Sequence, residues 1–321
     1  MNIIIKTPKF IGDTIMTLPA FELLRQEYPH ASFSIVCPAS SVDIFRERGI
    51  KRFIIERGKR NRFKNSLKMI REIREEQYDL GVLFHNTFLD ALIFKLSTIK
   101  TIIGYNKENR KILLDFWLKI DRSRHYVNHY ANLVNQYLKN KYRTLPPMEI
   151  YHEKSKLLTP TEKPTIGLLL GGENKGTRTY PKTLALELFS LLKEQNYHIV
   201  LMGDQQDNLN NNIYQEHLDS LTIENSNLSG ETSVSEFIDL IASVDLLVTI
   251  DSSAMHISAG TKTPFIVLKG KGTSAFDTVY PKVDFGTILF SGEAMIQDQD
   301  VIKAIQPIEI KDAIVKAIDE L

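Results

Sequence analysis

The feature that most limits what this chain can fold into is the repeated alternation of short, β-branched apolar runs with stretches of helical periodicity. Runs at 2–6, 32–37, 53–56, 80–84 and 101–104 read as strands, with helical patterns around 19–28, 64–77 and 126–139. Further strands are expected at 165–170, 198–202, 246–250 and 265–268, with helices around 182–195, 233–243 and 310–320. Such alternation predicts an α/β fold in which helices cover both faces of parallel sheets. The stretch 142–164 breaks the pattern with four prolines, which remove backbone donors and disfavour helix in the preceding residue. It reads as an extended linker. Two Rossmann-like domains are therefore expected, 1–150 and 151–321, and 321 residues at 43% hydrophobic suffice for a core in each. A cleft would lie between the two sheets, and ligands of open α/β sheets bind beyond the carboxyl ends of the strands.

Charge divides the same way. Residues 1–150 carry 26 Lys+Arg against 15 Asp+Glu, whereas 151–321 carry 14 against 24, so a net of +1 conceals halves of +11 and −10. The first half is expected to meet something anionic: nucleic acid, an acidic substrate or a membrane surface. The lone cysteine, Cys37, excludes an intrachain disulfide framework, fits a reducing compartment, and reads as a small buried thiol. The opening MNIIIKTPKF is too short an apolar run for a signal peptide, and no stretch approaches the ~18 apolar residues of a membrane span. Any membrane contact is expected to be peripheral.

Three motifs follow predicted strands. In IIIKTPKFIGDTIMTLPAF, Asp13 is either the cap of the next helix or a carboxylate able to take a proton from a hydroxyl. In IGLLLGGENKGTRTYPKTLALEL, Gly171, Gly172 and Gly176 with Asn174, Lys175 and Arg178 precede a helix expected from Pro181. Glycines, polar groups and cations in that place suit a phosphate, yet the pattern is neither a Walker loop nor GxGxxG, and a plain surface loop fits it too. In DSSAMHISAG, a helix beginning near Ser253 would aim its free N–H groups past the strand end. Alone, Asp251, Ser252, Ser253 and His256 read as a serine cap followed by a core histidine.

Together these motifs, with NLSGETSVSEFIDLIASVDLLVTIDSSAMHISAG and TPFIVLKGKGT, resemble in order the bacterial lipopolysaccharide heptosyltransferases, glycosyltransferase family 9. The resemblance spans nearly the whole chain, and its most specific parts are the early Gly-Asp and the late Asp-Ser-x-x-x-His. It implies a GT-B fold, with the acceptor held mainly by the first domain and the nucleotide sugar by the second. It also implies inverting transfer of heptose from ADP-L-glycero-D-manno-heptose to a Kdo or heptose of the lipopolysaccharide inner core, with neither metal nor cofactor. Asp13 matches the family's base. Arg178 stands where a lysine is common, keeping the charge but changing donor geometry. The resemblance makes Gly172, Asn174, Asp251, Ser252, Ser253 and His256 diphosphate and sugar contacts, Asp207 a ribose ligand and Thr232 part of the nucleotide pocket. The basic run Arg57, Lys59, Arg60, Arg62 and Lys64 falls where the family meets acidic Kdo sugars; otherwise it is a solvated charge run. The implied setting is the cytoplasmic face of the inner membrane, with no nucleic acid partner.

Two departures stand out. Ser253 replaces a usual glycine, and Lys269-Gly270-Lys271-Gly272-Thr273 replaces Phe-Gly-Pro-Thr, adding a residue and two cations. A related transferase with another nucleotide sugar, or a binding module without catalysis, are the alternatives. Asp298-Gln299-Asp300 reads as a solvated turn rather than a metal site, and His125 with His129 as a helix-face pair lacking a third ligand.

Overall fold

The computed structural model describes residues 1–58, 60–270, 275–290 and 301–321, and of residues 173 and 174 the backbone alone. The chain forms two compact units, Met1–Tyr151 and His152–Leu321. In the first, strands β1 (Asn2–Lys6), β2 (Ser32–Cys37), β3 (Arg52–Ile55), β4 (Leu80–Leu83), β5 (Thr101–Asn106) and β6 (Phe116–Lys119) alternate with helices α1 (Ile11–Ile15), α2 (Leu18–Glu27), α3 (Arg62–Arg74), α4 (Phe88–Leu96) and α5 (Tyr126–Tyr137). In the second, β7 (Thr165–Leu169), β8 (His198–Leu201), β9 (Asn225–Asn227), β10 (Leu246–Ile250), β11 (Phe265–Leu268) and β12 (Gly286–Leu289) alternate with α6 (Lys182–Leu192), α7 (Asn208–Ser220), α8 (Val234–Ile241), α9 (Ser253–Thr261), α10 (Phe276–Val279) and α11 (Pro307–Asp319).

Both sheets are parallel throughout and share one layout. Their orders are β3-β2-β1-β4-β5-β6 and β12-β11-β10-β7-β8-β9, so the chain reverses direction across the sheet between β1 and β4 and again between β7 and β10. These reversals leave a crevice at the carboxyl ends of the strands, the place where such sheets bind ligands. The inner strands are mainly apolar because helices cover both faces. Leu80–Leu83, Thr165–Leu169 and Leu246–Ile250 are buried at every position. Cys37, at the end of β2, is fully buried, and burial pushes its thiol up to about 12.

Several elements differ from the sequence expectation for identifiable reasons. The edge strand β6 is half-exposed, with Trp117 39% accessible, and β9 is Asn-Ser-Asn, with no apolar residue to betray it. Helix α7 is hidden by the asparagine-rich NLNNN, whose residues are weak helix formers. Helix α4 is apolar nearly all round and so lacks a periodic signal; Thr87 caps it, its side chain accepting from the Asp90 N–H at 3.2 Å. Between Tyr137 and Thr165 there is no regular element. That segment is nevertheless tied down on each side. Tyr142 donates to Glu27 (3.0 Å) and Arg46 lies over the Tyr151 ring (4.9 Å), while the Glu153 and Ser155 N–H groups donate to Asp239 and Ser243 (2.8 Å each).

Candidate active site

At the reversal of the first sheet, β1 runs into α1. Asp13 is not the cap of that helix: the N-cap position is Phe10, and Asp13 sits inside the first turn. The carboxyl is half-buried, and burial raises it from 3.8 to about 6, against an opposing pull from the charge of His85. His85 follows β4, across the reversal. Its Nδ1 lies 2.5 Å from Asp90 Oδ2, and the Thr87 hydroxyl donates to the same oxygen. Burial alone would raise the Asp90 pKa, but these hydrogen bonds and the charges of Lys6 and His85 hold it below its ordinary value.

The loop 85–87 is fixed from beneath by Arg110, which is fully buried. Its guanidinium donates to the carbonyls of Tyr105 (2.7 Å), His85 (2.8 Å) and Thr87 (3.0 Å) and to Asn86 Oδ1 (2.8 Å). Burial lowers this arginine to about 10, so its charge is retained at neutral pH. His85, Asp90 and Arg110 are not evident as a cluster from the sequence: FHNTFLD directly after an apolar strand signals the first two, and nothing local points to Arg110. Because His85 favours the ionised form of Asp13, His85→Ala should raise the Asp13 pKa. Any activity needing the Asp13 carboxylate should then show its acid limb moved upward from about pH 6 in a kcat/KM profile.

The basic run divides. Arg57 makes a two-pronged pair with Glu72 (2.6 and 3.1 Å), so it serves to hold α3 against the loop after β3 rather than standing open to a ligand. Arg60, Arg62 and Lys64 are exposed, and Lys59 lies outside the described residues. His125 is at the N-cap position of α5, and His129 stacks on Tyr105 with centroids 3.7 Å apart. Burial lowers His129 to about 4. No group of three potential metal ligands occurs among the described residues.

At the reversal of the second sheet, two loops meet. After β7, Gly171 takes φ +84°, and a Cβ there would come within 2.8 Å of Ile250 Cδ1. A Cβ on Gly172 would meet the Gln206 carbonyl at 2.6 Å, so the bare backbone lets the loops after β7 and β8 close on one another. The loop then delivers Arg178, whose Nη1 donates to the Asp251 carbonyl at the end of β10 (2.9 Å). Asp251 is half-buried; burial raises its pKa and Arg178 opposes the rise. Ser252 is the N-cap of α9 and accepts from the Ala254 N–H at 3.3 Å, with Ser253 as the first helical residue. A guanidinium and a capped helix N-terminus thus stand side by side, an arrangement that favours an anion. The side chain of Asn174 lies outside the described residues.

The other residues singled out in the second half differ in exposure. Asp207 is 2% exposed, and its Oδ2 accepts from the Asp204 N–H (2.8 Å) and so steadies the turn after β8. Asp204 is the acid exposed at that strand end, paired with Lys175 at 2.8 Å. His256 is 6% exposed and lies in the first turn of α9. Lys269 lies 5.3 and 5.2 Å from the rings of Phe276 and Phe290, so this cation is engaged by aromatic faces. Thr232 is half-exposed, one residue before the Ser233–Glu236 capping box of α8. Lys271, Gly272 and Thr273, together with Asp298 and Asp300, lie outside the described residues.

The family model for glycosyltransferase family 9 (heptosyltransferase) matches residues 66–281. The chain belongs to this family and is a glycosyltransferase. This family 9 chain is 27% identical over 320 residues to lipooligosaccharide heptosyltransferase 2 of Haemophilus influenzae, covering 90% of this chain and 88% of that protein. Its fold matches the E. coli ADP-heptose LPS heptosyltransferase II with a TM-score of 0.84 at 22% identity, over 100% and 99% of the two chains. It also matches E. coli heptosyltransferase WaaC with ADP-2-deoxy-2-fluoro heptose, with a TM-score of 0.78 at 16% identity over 98% and 99%. The GT-B-like fold expected from the sequence is the fold of these proteins.

Proposed function

We propose that this family 9 enzyme transfers heptose from ADP-L-glycero-D-manno-heptose to a Kdo or heptose of the lipopolysaccharide inner core, inverting the anomeric centre. The observation that carries the transfer reading is Asp13, a carboxyl at the crevice of the first sheet whose burial places its pKa at about 6. A base in that range is ionised at neutral pH yet still accepts a proton as one is released. In the proposed reaction the acceptor hydroxyl oxygen bonds to the anomeric carbon and its proton passes to Asp13. The bond from that carbon to the diphosphate oxygen breaks, and ADP departs with the electron pair.

Arg178 and the N–H groups of α9 offset the charge that accumulates on the diphosphate, with Ser252, Ser253 and Gly172 shaping the approach. Asp251 positions Arg178 through its carbonyl, and Thr232 borders the nucleotide. Asp204 is a better ribose ligand than Asp207, because it is exposed. Arg60, Arg62 and Lys64 meet the acidic sugars of the acceptor, while Arg57 is already held by Glu72. The heptose donor is supported by the relatives: one is a lipooligosaccharide heptosyltransferase 2, and a structure of like fold carries an ADP-heptose analogue. The reading invokes no metal. It places the enzyme in the cytoplasm against the inner membrane, held there by the +11 half.

The test is to offer ADP-heptose and, separately, UDP-sugars together with a Kdo-bearing acceptor, and to measure released nucleoside diphosphate. Release with ADP-heptose alone is expected. Turnover with only a UDP-sugar would replace the donor assignment, and binding without turnover in every pairing would make the chain a binding module.

A further inference from the structure

Helices α3 and α4 lie side by side and leave between them an open cavity of about 420 Å³ on the surface of the first unit. Phe63, Leu67 and Ile70 line it from α3, and Leu89, Ile93 and Leu96 from α4. Phe63 is 79% exposed, Leu67 40% and Leu96 46%, so this apolar surface is open to solvent rather than part of the core. The α3 residues recur at i, i+4 and i+7, which makes a stripe along one face of the helix.

A second stripe runs beside the first. Lys64, Lys68 and Arg71 repeat the same spacing one residue further on, and all three are exposed. Among the described residues none of them forms an ion pair. The acids nearby are already engaged by other cations: Glu72 by Arg57, Glu75 by Arg52 and Glu76 by Lys51. The outer face of α3 therefore keeps an excess of positive charge along an apolar groove, although Lys68 also acts on the Arg57-bound Glu72.

We propose that this groove seats the protein on an anionic lipid bilayer, with acyl chains entering between α3 and α4 and with Lys68 and Arg71 at the headgroups. Hydrocarbon suits the lining, because a peptide laid in extended form would leave its N–H and C=O groups without partners there. The paired stripes are the arrangement that holds an amphipathic helix at a charged membrane surface. This deepens the proposed membrane-bound setting and rests on it.

The test is co-sedimentation of the full chain with vesicles of phosphatidylcholine alone and of phosphatidylcholine mixed with phosphatidylglycerol, with gel filtration alongside. Wild type is expected to bind the mixed vesicles, to bind the neutral ones weakly, and to be released in part by salt. The double variants Leu67→Ser/Leu96→Ser and Lys68→Glu/Arg71→Glu should each lose at least about tenfold in partitioning. All four positions are exposed, and an unchanged Tm would show that the fold survives. If wild type ignores the mixed vesicles, both the groove and the membrane setting fall. If wild type binds and the Leu variant binds equally, the groove is overturned while peripheral attachment stands. A dimer that the Leu variant disperses, without vesicle binding, would make a second copy the occupant and overturn the proposal. Since the readout is binding, the donor assay judges the transfer reading separately.

Discussion

Asp13→Asn should abolish transfer while leaving ADP-heptose affinity nearly intact, a fall in kcat of about 10²–10⁴ if the carboxylate is the base. The same variant should be more stable than wild type at pH 7.5. The Asp13 carboxyl holds its proton more tightly when folded, at about 6 against 3.8 for the free side chain. Its contribution therefore favours the folded state fully below pH 3.8 and is lost as the pH rises through about 6. At pH 7.5 the buried carboxylate costs up to about 3 kcal/mol that asparagine does not. Thermal melts should put the variant a few degrees above wild type at pH 7.5, with the gap closing toward pH 4. Loss of activity with a raised Tm separates a strained functional carboxylate from a helix-stabilising residue. A variant that is fully active would remove Asp13 from the mechanism, and one that is inactive but less stable would point to damage in α1.

Arg178→Ala should lower kcat by about 10²–10³, because the charge on the leaving diphosphate loses its guanidinium partner. It should also free the Asp251 carbonyl, which now accepts from Arg178 at 2.9 Å. Arg178→Lys keeps the charge but not the reach to that carbonyl, and should recover part of the loss. Single-turnover kinetics with measured ADP affinity would separate the two contributions. If alanine weakens ADP binding and kcat is unchanged, Arg178 holds ground state and transition state alike, and the diphosphate charge must be met elsewhere. A full recovery by lysine would show that charge alone matters and that the Asp251 contact is incidental.

The strands that the sequence reveals are those with apolar residues on both faces, such as Ile3-Ile4-Ile5 and Leu246-Leu247-Val248, because burial under two helical layers demands it. Those it hides, β6, β9 and β12, lie at sheet edges, where part of the surface is wet and a continuous apolar run is not needed. The site divides in a similar way. Glycines and a serine cap after strands are visible as local patterns, and Asp13 stands out beside Gly12. His85, Asp90 and Arg110 become one cluster only through long-range geometry, since Arg110 reaches back across 25 residues to the His85 carbonyl. Burial is what sequence conveys least. Asp207 and Asp204 are three residues apart and both acidic, yet one is enclosed by the Gly172 and Gly203 turns and the other meets solvent.

The single thiol carries a consequence of a different kind. Cys37 closes β2 with its side chain sealed and its proton held to about pH 12, so the native protein offers no thiolate at neutral pH. Each chain then holds one reporter that becomes reactive only when the first sheet comes apart. The rate at which a thiol reagent labels it is a clock for opening of that unit alone, readable without mutating or tagging the enzyme.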